Sequence, residues 1–447
     1  MTEQIRLEDE LNAFDPRERA DALARLAVEF TACCGVEQAN HNMHVHSFFS
    51  FNALGWSPSR IAWESRKVGL HSAGLCDFDV LAGLEEFLDA GLRLGLRAAV
   101  SLETRVFLKE YADKDISSPG EPGVTYIMGA GFVRTPLAAS PQAQGLAGYR
   151  DRAGARNEAL IARVNRHLPQ IAIDYGQDVL PLTPAGAPTE RHIVSAYLNR
   201  AKAVLAHPSE VASFWSGVLG RPLEETVELL TDTPALEESV RSRLAKRGGL
   251  GYEQPSPDTF PPVEEFIRWV LSCEAIPMIT WLDGTSAGER DGRALLEYMA
   301  AKGCVALNII PDRNWNISDP KTRGIKIAHL NAIVSAAKDM GLPINIGTEM
   351  NKLGQPDVDL LDVEALRPHK DTFLRGARIL VGQSVLSRYA DLSYTGARAK
   401  AEFRDVGAKN AFFERVGALP PLTQEQARDL QDMGPEKALT HLRLAAG

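Results

Sequence analysis

Two histidines separated by one residue are the first candidates for chemistry in this sequence. The stretch HNMHVH contains His41, His44 and His46, in a chain with only 10 histidines. Residues two apart on a β-strand face the same side, so His44 and His46 could hold one cation, whereas the odd offset of His41 turns it to the other face. The alternative is a pair of histidines that hydrogen-bond to the backbone. The spacing by itself leaves both interpretations open.

Carboxylates at the ends of later predicted strands favour the metal interpretation. Asp77 and Asp79 end the second predicted strand, Glu103 ends the third, and Glu349 ends a later one. In a parallel barrel the carboxyl ends of all strands meet at one face, and enzymes of this architecture place their ligands there. Carboxylates buried there without a partner would be costly. The pattern predicts a metal site built from several strand ends.

The elements that carry these residues alternate between strand and helix. Residues 40–104 predict the order β-α-β-α-β. The first of these helices begins at Ser57, as N-cap, with Pro58 at its first position, and the second is closed by Gly95. Short connections of this kind predict parallel strands with right-handed crossovers. Because the alternation resumes in the second half of the chain, we expect a barrel or a doubly wound sheet.

Composition argues against several classes of protein. The chain has 447 residues, a net charge of -9 and a hydrophobic fraction of 45%, which suits one large barrel with insertions. The acidic balance argues against a nucleic-acid surface, and no apolar run approaches the ~20 residues of a membrane helix. The polar, acidic start is unlike a signal peptide, and five cysteines without a CxxC pair indicate a reduced, cytoplasmic protein. We expect a small-molecule substrate, and a homo-oligomer stays open.

The order of these motifs resembles the PHP family, named after polymerases and histidinol phosphatase. "HVHS" is followed by the helix "SPSRIAWESRKVGL" and by two strands, "SAGLCDFD" and "LRAAVSLE". "PTERHIVSAYL", "EAIPMITWLDG" and "GLPINIGTEMNK" are similar, in order, to later segments of the nucleotide-phosphoesterase branch of that family. The resemblance implies an α/β fold, a distorted (β/α)7 TIM-like barrel. We expect an N-terminal helical segment at 1–37, the barrel at 38–360 with a helical insertion at about 209–248, and a C-terminal helical extension at 361–447.

The resemblance implies that this chain keeps the ligands of a single metal. His44 and His46 match the family's HxH motif, Glu103 matches its bridging glutamate, and Glu349 takes the place of a late aspartate. The other ligand positions carry residues that bind metals poorly or not at all, and these are Asn52, Phe78, Tyr126, Trp281 and Asn351. Since the family holds up to three metals, we expect this member to bind one divalent ion, Zn, Mn or Fe, through the four retained residues.

Residues beside the expected metal are candidates for catalysis and substrate binding. Asp77 or Asp79 could act as general base, and Asp77 could instead orient a ligating histidine. Arg191 and His192 lie in a segment that resembles one that contributes to phosphate binding in the related phosphoesterases. A guanidinium beside an imidazole suits a phosphate dianion. The alternative for Arg191 is a surface ion pair. Further residues that we expect at the substrate-binding mouth are Trp281, Asn351 and the segment Asp312–Asn314.

Three functions are compatible with these residues. The first is a metal-dependent hydrolase of PHP type that acts on a small phosphoester. The second uses one metal for C–N hydrolysis, isomerisation or a lyase reaction on a carbonyl or sugar-like substrate, in a pocket made aromatic by Phe78, Tyr126 and Trp281. The third is a non-catalytic binding protein that retains the PHP fold. Metal content separates the third function from the others, and a phosphoester screen separates the first two.

Overall fold

One seven-stranded sheet forms the centre of the fold. The computed structural model describes residues 2–447 of the chain. The strands, in chain order, are β1 (His41–Val45), β2 (Ser72–Phe78), β3 (Arg97–Phe107), β4 (Val124–Phe132), β5 (Ile276–Trp281), β6 (Ala306–Ile309) and β7 (Ile344–Ile346). Each strand pairs with the strands that precede and follow it in the sequence. The sheet therefore winds in one direction as the chain proceeds.

The strands are parallel except at β4, which runs antiparallel to both β3 and β5. No α-helix lies between β3 and β4, so the chain turns back there instead of crossing over. The chain just after β7 approaches β1 through two backbone hydrogen bonds, from Glu349 N to His44 O (2.8 Å) and from His46 N to Glu349 O (3.0 Å). The sheet is a nearly closed TIM-like barrel, which confirms the predicted α/β barrel and the parallel pairing of β1, β2 and β3.

Helices surround this barrel. Within residues 2–447 the α-helices are α1 (Glu3–Glu10), α2 (Pro16–Glu29), α3 (Pro58–Lys67), α4 (Leu84–Leu94), α5 (Pro141–His167), α6 (Glu190–Val204), α7 (Pro208–Leu219), α8 (Leu223–Leu229), α9 (Thr233–Ala245), α10 (Val263–Ser272), α11 (Gly292–Lys302), α12 (Asp312–Trp315), α13 (Pro320–Asp339), α14 (Lys370–Tyr389), α15 (Ala397–Glu402), α16 (Val406–Ala418), α17 (Gln424–Asp432) and α18 (Pro435–Ala446). None of them combines the length and the hydrophobicity that are needed to cross a membrane.

Two helix boundaries predicted from the sequence are confirmed. Ser57 caps α3 by accepting a hydrogen bond from Arg60 N (3.0 Å), and Pro58 occupies the first helical position. Gly95 follows α4 with a φ of 63°, a left-handed conformation that glycine adopts at little cost. Local chemistry therefore fixes where these helices start and stop.

Helix α14 closes the end of the barrel opposite to the carboxyl ends of the parallel strands. Gly376 lies so near to Ile344, the first residue of β7, that a Cβ on the glycine would stand 1.8 Å from the Ile344 carbonyl oxygen. Gln383 Nε2 donates to the carbonyls of Gly131 (3.3 Å) and Glu274 (3.0 Å) at the same end. Apolar side chains from inside the barrel and from α14 form one buried cluster. The helices after residue 361 thus lie at the base of the barrel.

Helices α5 to α9 form a separate apolar cluster beside the other end. A half-buried ion network ties this helical unit to the barrel. Glu190 at the start of α6 pairs with Arg105 of β3 (2.8 Å). It also pairs with Arg241 (3.1 Å) in α9 and with Lys246 (3.1 Å), which follows α9. The predicted insertion at 209–248 lies within this unit, whose core also includes residues of α5 and α6. The domain boundaries themselves stay a prediction.

Candidate metal centre

Three side chains converge near the carboxyl ends of β1 and β2. His44 Nε2 and His46 Nε2 each lie 3.6 Å from Glu103 Oε2, and one ligand atom from each residue lies within 4.8 Å of the others. All three side chains are buried, and none of these three atoms has a hydrogen-bond partner. Buried polar atoms without partners are rare in folded proteins. Three such atoms that converge form a candidate cation-binding site.

Strand geometry explains why these side chains meet. The two histidines lie two residues apart on β1 and therefore face the same side. Glu103 pairs in register with Phe78, the last residue of β2, so it lies level with the end of the neighbouring strand. β3 does not end at Glu103, as the sequence led us to expect, but continues to Phe107. The reason is that the antiparallel strand β4 pairs with the second half of β3.

Electrostatics also favour a cation between these residues. Burial lowers the pKa of His46 to about 3, and repulsion by His44 contributes. Burial acts to lower the pKa of His44 as well, but the interactions with Cys76 and Glu103 outweigh it and raise that pKa well above its ordinary value. The pKa of Glu103 is raised, chiefly by burial. The cluster attracts positive charge, and two imidazole nitrogens with one carboxylate oxygen are a donor set that fits Zn, Mn or Fe.

A pair of asparagines orients His44. Asn308 Oδ1 lies 3.4 Å from His44 Nδ1, and the same oxygen accepts a hydrogen bond from Asn345 Nδ2 (2.9 Å). An amide oxygen can only accept, so Nδ1 of His44 carries a proton, and when a cation takes the place of the second proton the lone pair lies on Nε2. That tautomer is the one that a metal ligand needs.

His46 is held by a ring stack and a hydroxyl. Its ring stacks on Phe78 with centroids 4.6 Å apart, and Ser50 Oγ lies 3.3 Å from its Nδ1. Behind Ser50 lies Asp77, which accepts hydrogen bonds from Ser50 Oγ, Ser47 Oγ and Ser47 N, all at 2.7 Å. Asp77 is buried and does not line the cavity that adjoins the cluster. This geometry suits the orienting role that the sequence left open for Asp77.

Asp79 has a different environment. It lines the cavity, and its Oδ1 accepts a hydrogen bond from Thr104 Oγ1 (2.6 Å). Its φ is 57°, a strained value for a residue with a side chain. Burial raises the pKa of Asp79, which brings the carboxyl closer to the range where proton transfer is efficient. Of the two predicted base candidates, Asp79 is the one that faces the cavity.

Glu349, the fourth predicted ligand, lies beside the cluster but contacts another cation. Its Oε2 lies 2.7 Å from a terminal nitrogen of Arg313. Burial acts to raise the pKa of Glu349, but attraction by Arg313 and His44 outweighs it and lowers that pKa to about 2. The group of converging ligand atoms contains His44, His46 and Glu103 and does not extend to Glu349. The structure thus brings three of the four predicted ligands together.

A cavity of about 780 Å³ opens beside the cluster, and Glu103 lines it together with Glu349 and Asp79. Nine Lys or Arg residues and six Asp or Glu residues line this cavity in the described part of the chain, although the net charge of the whole chain is -9. Cationic lining inside an acidic protein indicates a local attraction for anions.

Most of the predicted substrate-binding residues reach this cavity. Arg191, Trp281 and Asn351 line it, and a terminal nitrogen of Arg191 donates to Asn351 Oδ1 (3.4 Å). Arg191 makes no ion pair with any described carboxylate, so the alternative of a surface ion pair does not apply. His192 does not line the cavity. Its Nδ1 accepts a hydrogen bond from Thr189 N (3.0 Å) at the start of α6, so a substrate contact for His192 stays a prediction that this geometry does not favour.

Sequence reasoning missed the residues that position the histidines. Asn308 and Asn345 each lie inside a short apolar strand, and a polar residue in such a strand was the available signal, because burial without a partner is costly. Ser50 lies in a turn, four residues after His46, and nothing in the local sequence indicates that it contacts the histidine. Asp312 and Arg313 line the cavity, as expected, whereas Asn314 does not and instead donates from Nδ2 to Leu282 O (3.1 Å).

No protein-family model and no curated protein matches this sequence. Two solved structures are similar to this chain over 74% of its length and 96% of their own chains. A candidate metal-dependent phosphoesterase from Bifidobacterium adolescentis is 18% identical with a TM-score of 0.46. An amidohydrolase from Chromobacterium violaceum, with bound sulfate and no metal, is 16% identical with a TM-score of 0.48. The fold and the site themselves define a TIM-like α/β barrel with a candidate site for a divalent metal ion.

Proposed function

We propose that this protein is a metal-dependent hydrolase of PHP type that acts on a small phosphoester with one divalent ion. The observation that carries the proposal is the convergence of His44 Nε2, His46 Nε2 and Glu103 Oε2, which have no partners, at the edge of a large cavity. When bound, such an ion activates water as a nucleophile and polarises a phosphoryl oxygen. Glu349 is the further ligand that the resemblance implies.

The charge of the cavity supports an anionic substrate. Arg191 offers a guanidinium without a carboxylate partner, and its pKa is lowered mainly by burial, so binding an anion would relieve an unfavourable charge. A guanidinium can donate two parallel hydrogen bonds to one phosphate group. Asn351 holds Arg191 from the loop after β7, which fixes the direction of the guanidinium. We assign Arg191 to the phosphate group.

The two aspartates take different roles in this proposal. Asp79 lines the cavity and exchanges a proton with the substrate or with water, since its carboxyl is held by Thr104 and its pKa is raised by burial. Asp77 has no access to the substrate and orients His46 through Ser50. A strained backbone at Asp79 is consistent with a functional position.

Metal content and a substrate screen test this function. Protein purified without a chelator or a histidine tag should contain about one metal ion per chain, the count expected for an active site with three or four protein ligands. It should release phosphate from at least one phosphomonoester or phosphodiester in the presence of Mn²⁺ or Zn²⁺. Protein that binds no metal would contradict every enzymatic function considered, and near three ions per chain would contradict a mononuclear site.

A second function is favoured by the aromatic side of the cavity. Phe78, Tyr126 and Trp281 all line it, and Trp281 is buried with an indole nitrogen that has no hydrogen-bond partner. Such a wall suits a carbonyl or sugar-like substrate, on which one metal could support C–N hydrolysis, isomerisation or a lyase reaction. If the protein binds metal but hydrolyses no phosphoester, a reaction on a carbonyl or sugar-like substrate becomes the favoured function.

A further inference from the structure

The backbone of Glu349 is fixed between the two metal-site histidines. Glu349 N donates to His44 O (2.8 Å), and His46 N donates to Glu349 O (3.0 Å). Glu349 and the next residue, Met350, both have positive φ values, 62° and 52°. Left-handed conformations are costly for residues with side chains and persist where the surroundings impose them. The position of Glu349 beside the cluster is therefore set by the main chain, and only its side chain is free to choose a direction.

The side chain of Glu349 turns toward Arg313. Its Oε2 lies 2.7 Å from a terminal nitrogen of Arg313 and 3.4 Å from Gln355 Nε2. Glutamate has three side-chain torsions, so from this fixed backbone the carboxylate can point at different neighbours. Its electrostatic partners include both His44 and His46 as well as Arg313. Two groups that attract a carboxylate thus flank Glu349: the guanidinium contacts its side chain, and the two histidines contact its main chain.

Arg313 follows β6, in the short helix α12, and Glu349 is its only carboxylate partner among the described residues. Its Nε is buried and has no hydrogen-bond partner. A guanidinium cannot lose its proton at physiological pH. Arg313 therefore supplies a permanent positive charge next to a site built for a divalent cation.

We propose that Arg313 and the divalent metal ion compete for the carboxylate of Glu349. Arg313 holds the carboxylate away from the histidine cluster, and metal binding draws it from the guanidinium, which then faces the cavity without a partner. This inference rests on the metal site of the proposed function but not on the identity of the substrate. It makes Arg313 a residue that sets metal affinity, and it couples metal loading to the appearance of a free cation in the cavity.

Metal affinity tests the competition directly. We would measure Zn²⁺ and Mn²⁺ affinity by competition with a chelator of known strength. Arg313→Gln should bind metal about tenfold more tightly than the wild type, the equivalent of about 1.4 kcal/mol. Glu349→Gln should bind metal more weakly than the wild type. The double variant should behave like Glu349→Gln, because Arg313 has nothing to compete for once the carboxylate is absent.

Two further variants separate competition from general electrostatics and from misfolding. Lys352→Gln removes an exposed positive charge from the same cavity and should leave metal affinity within about twofold of the wild type, since exposed charges interact weakly through solvent. Arg313→Lys keeps the charge but loses the planar fork of donors, so its metal affinity should fall between those of wild type and Arg313→Gln. This series stays informative if Glu349→Gln fails to fold.

Several results would overturn the inference. Unchanged or weaker metal binding in Arg313→Gln would do so, as would an equal gain in Arg313→Gln and Lys352→Gln. A gain that persists in the double variant would show that Glu349 is not the shared partner. The readout does not depend on turnover. If the metal affinities change as predicted but no phosphoester is hydrolysed, the competition is supported and the proposed substrate is wrong. If a phosphoester is hydrolysed but the variants bind metal like the wild type, the proposed substrate is supported and the competition is wrong.

Discussion

Asp77 and His46 are connected through a single hydroxyl group. Ser50 Oγ donates to Asp77 Oδ1 (2.7 Å) and lies 3.3 Å from His46 Nδ1. Because Ser50 gives its proton to the carboxylate, its oxygen can accept the proton of Nδ1, and the lone pair of His46 then lies on Nε2, which faces Glu103. A buried carboxylate thus sets the tautomer of a candidate metal ligand that it does not touch.

Replacing Asp77 should weaken the metal site without removing a ligand. Asp77→Asn keeps the size of the side chain but loses an acceptor for one of the two serines, so metal affinity should fall about 10–100-fold. Chelator competition measures this change. Asp362→Asn, at an exposed aspartate, is the matched control and should match the wild type. Full metal affinity together with an altered pH profile of activity in Asp77→Asn would instead identify Asp77 as the base.

Removing one imidazole should empty the site. His44→Ala deletes one of the three converging ligands, and we expect the metal content to fall from about one ion per chain to a small fraction, because three protein ligands are the usual minimum for such a site. Elemental analysis of purified protein gives the count. His207→Ala, at an exposed histidine at the start of α7, should retain the metal. Equal metal content in both variants would place the ion elsewhere.

Substrate affinity should depend on Arg191 if the substrate carries a phosphate. Arg191→Gln removes a charged donor from the cavity, and KM should rise at least about tenfold, since loss of one partner of a desolvated charged pair costs ~2 kcal/mol or more. Steady-state kinetics on the phosphoester found by the screen provide the measurement. Arg166→Gln, an exposed position at the end of α5, should leave KM unchanged. A similar KM in both variants would argue for the carbonyl substrate.

The ion network around Glu190 should contribute strongly to stability. Glu190→Gln removes a carboxylate that Arg105, Arg241 and Lys246 share. Arg105 and Lys246 keep Glu121 as a second partner, and Arg241 keeps Glu238 (3.5 Å). Breaking a buried ion pair from one side costs about 3–5 kcal/mol of unfolding free energy, and we expect a loss toward the lower end because Glu121 remains. Denaturant unfolding measures it.

The control for this network is an exposed ion pair. Glu253→Gln removes the partner of Arg163 at the surface, where such pairs contribute about 0–1 kcal/mol. A loss no greater in Glu190→Gln than in Glu253→Gln would show that the network does not anchor the helical unit to the barrel.

Stability should fall as the pH rises because of Asp359. Burial raises the pKa of this carboxyl to about 7, and the neighbouring Asp312 contributes, whereas an unfolded aspartate titrates near ~3.9. Between these values the folded chain binds a proton at Asp359 that the unfolded chain releases, so the contribution of Asp359 to the free energy of unfolding decreases from about pH 4 to about pH 7. Asp359→Asn removes this dependence and should be more stable than the wild type at pH 8, by ~1.4 kcal/mol for each pKa unit of the shift.

Unfolding by denaturant at pH 4.5 and pH 8 would check the sign of the Asp359 effect. The stability difference between wild type and Asp359→Asn should be present at pH 8 and largely absent at the lower pH. The exposed replacement Asp362→Asn should show no such difference. A variant that is less stable than the wild type at both pH values would refute the raised pKa.

The sequence by itself determined the local features of this protein. The two-residue spacing of His44 and His46 decides that they share one side of β1, because alternation along a strand is a property of the backbone. Ser57 and Gly95 mark helix ends, since capping depends on neighbouring residues only. The alternation of strands and helices also predicted an α/β fold, a barrel or a doubly wound sheet, because each amphipathic element must bury its apolar face against the next one.

Tertiary structure decided which side chains meet. Glu103 reaches the histidines only because β2 lies between β1 and β3 in a particular register, and register depends on packing between distant segments. The reversal of β4, which extends β3 beyond Glu103, follows from a connection that no local signal marked. Arg313 contacts Glu349, and His44 attracts the same carboxylate, although the three residues come from distant segments of the chain. His192 caps helix α6 instead of lining the cavity. Distances between residues far apart in sequence are properties of the whole fold, so no reading of single stretches could supply them.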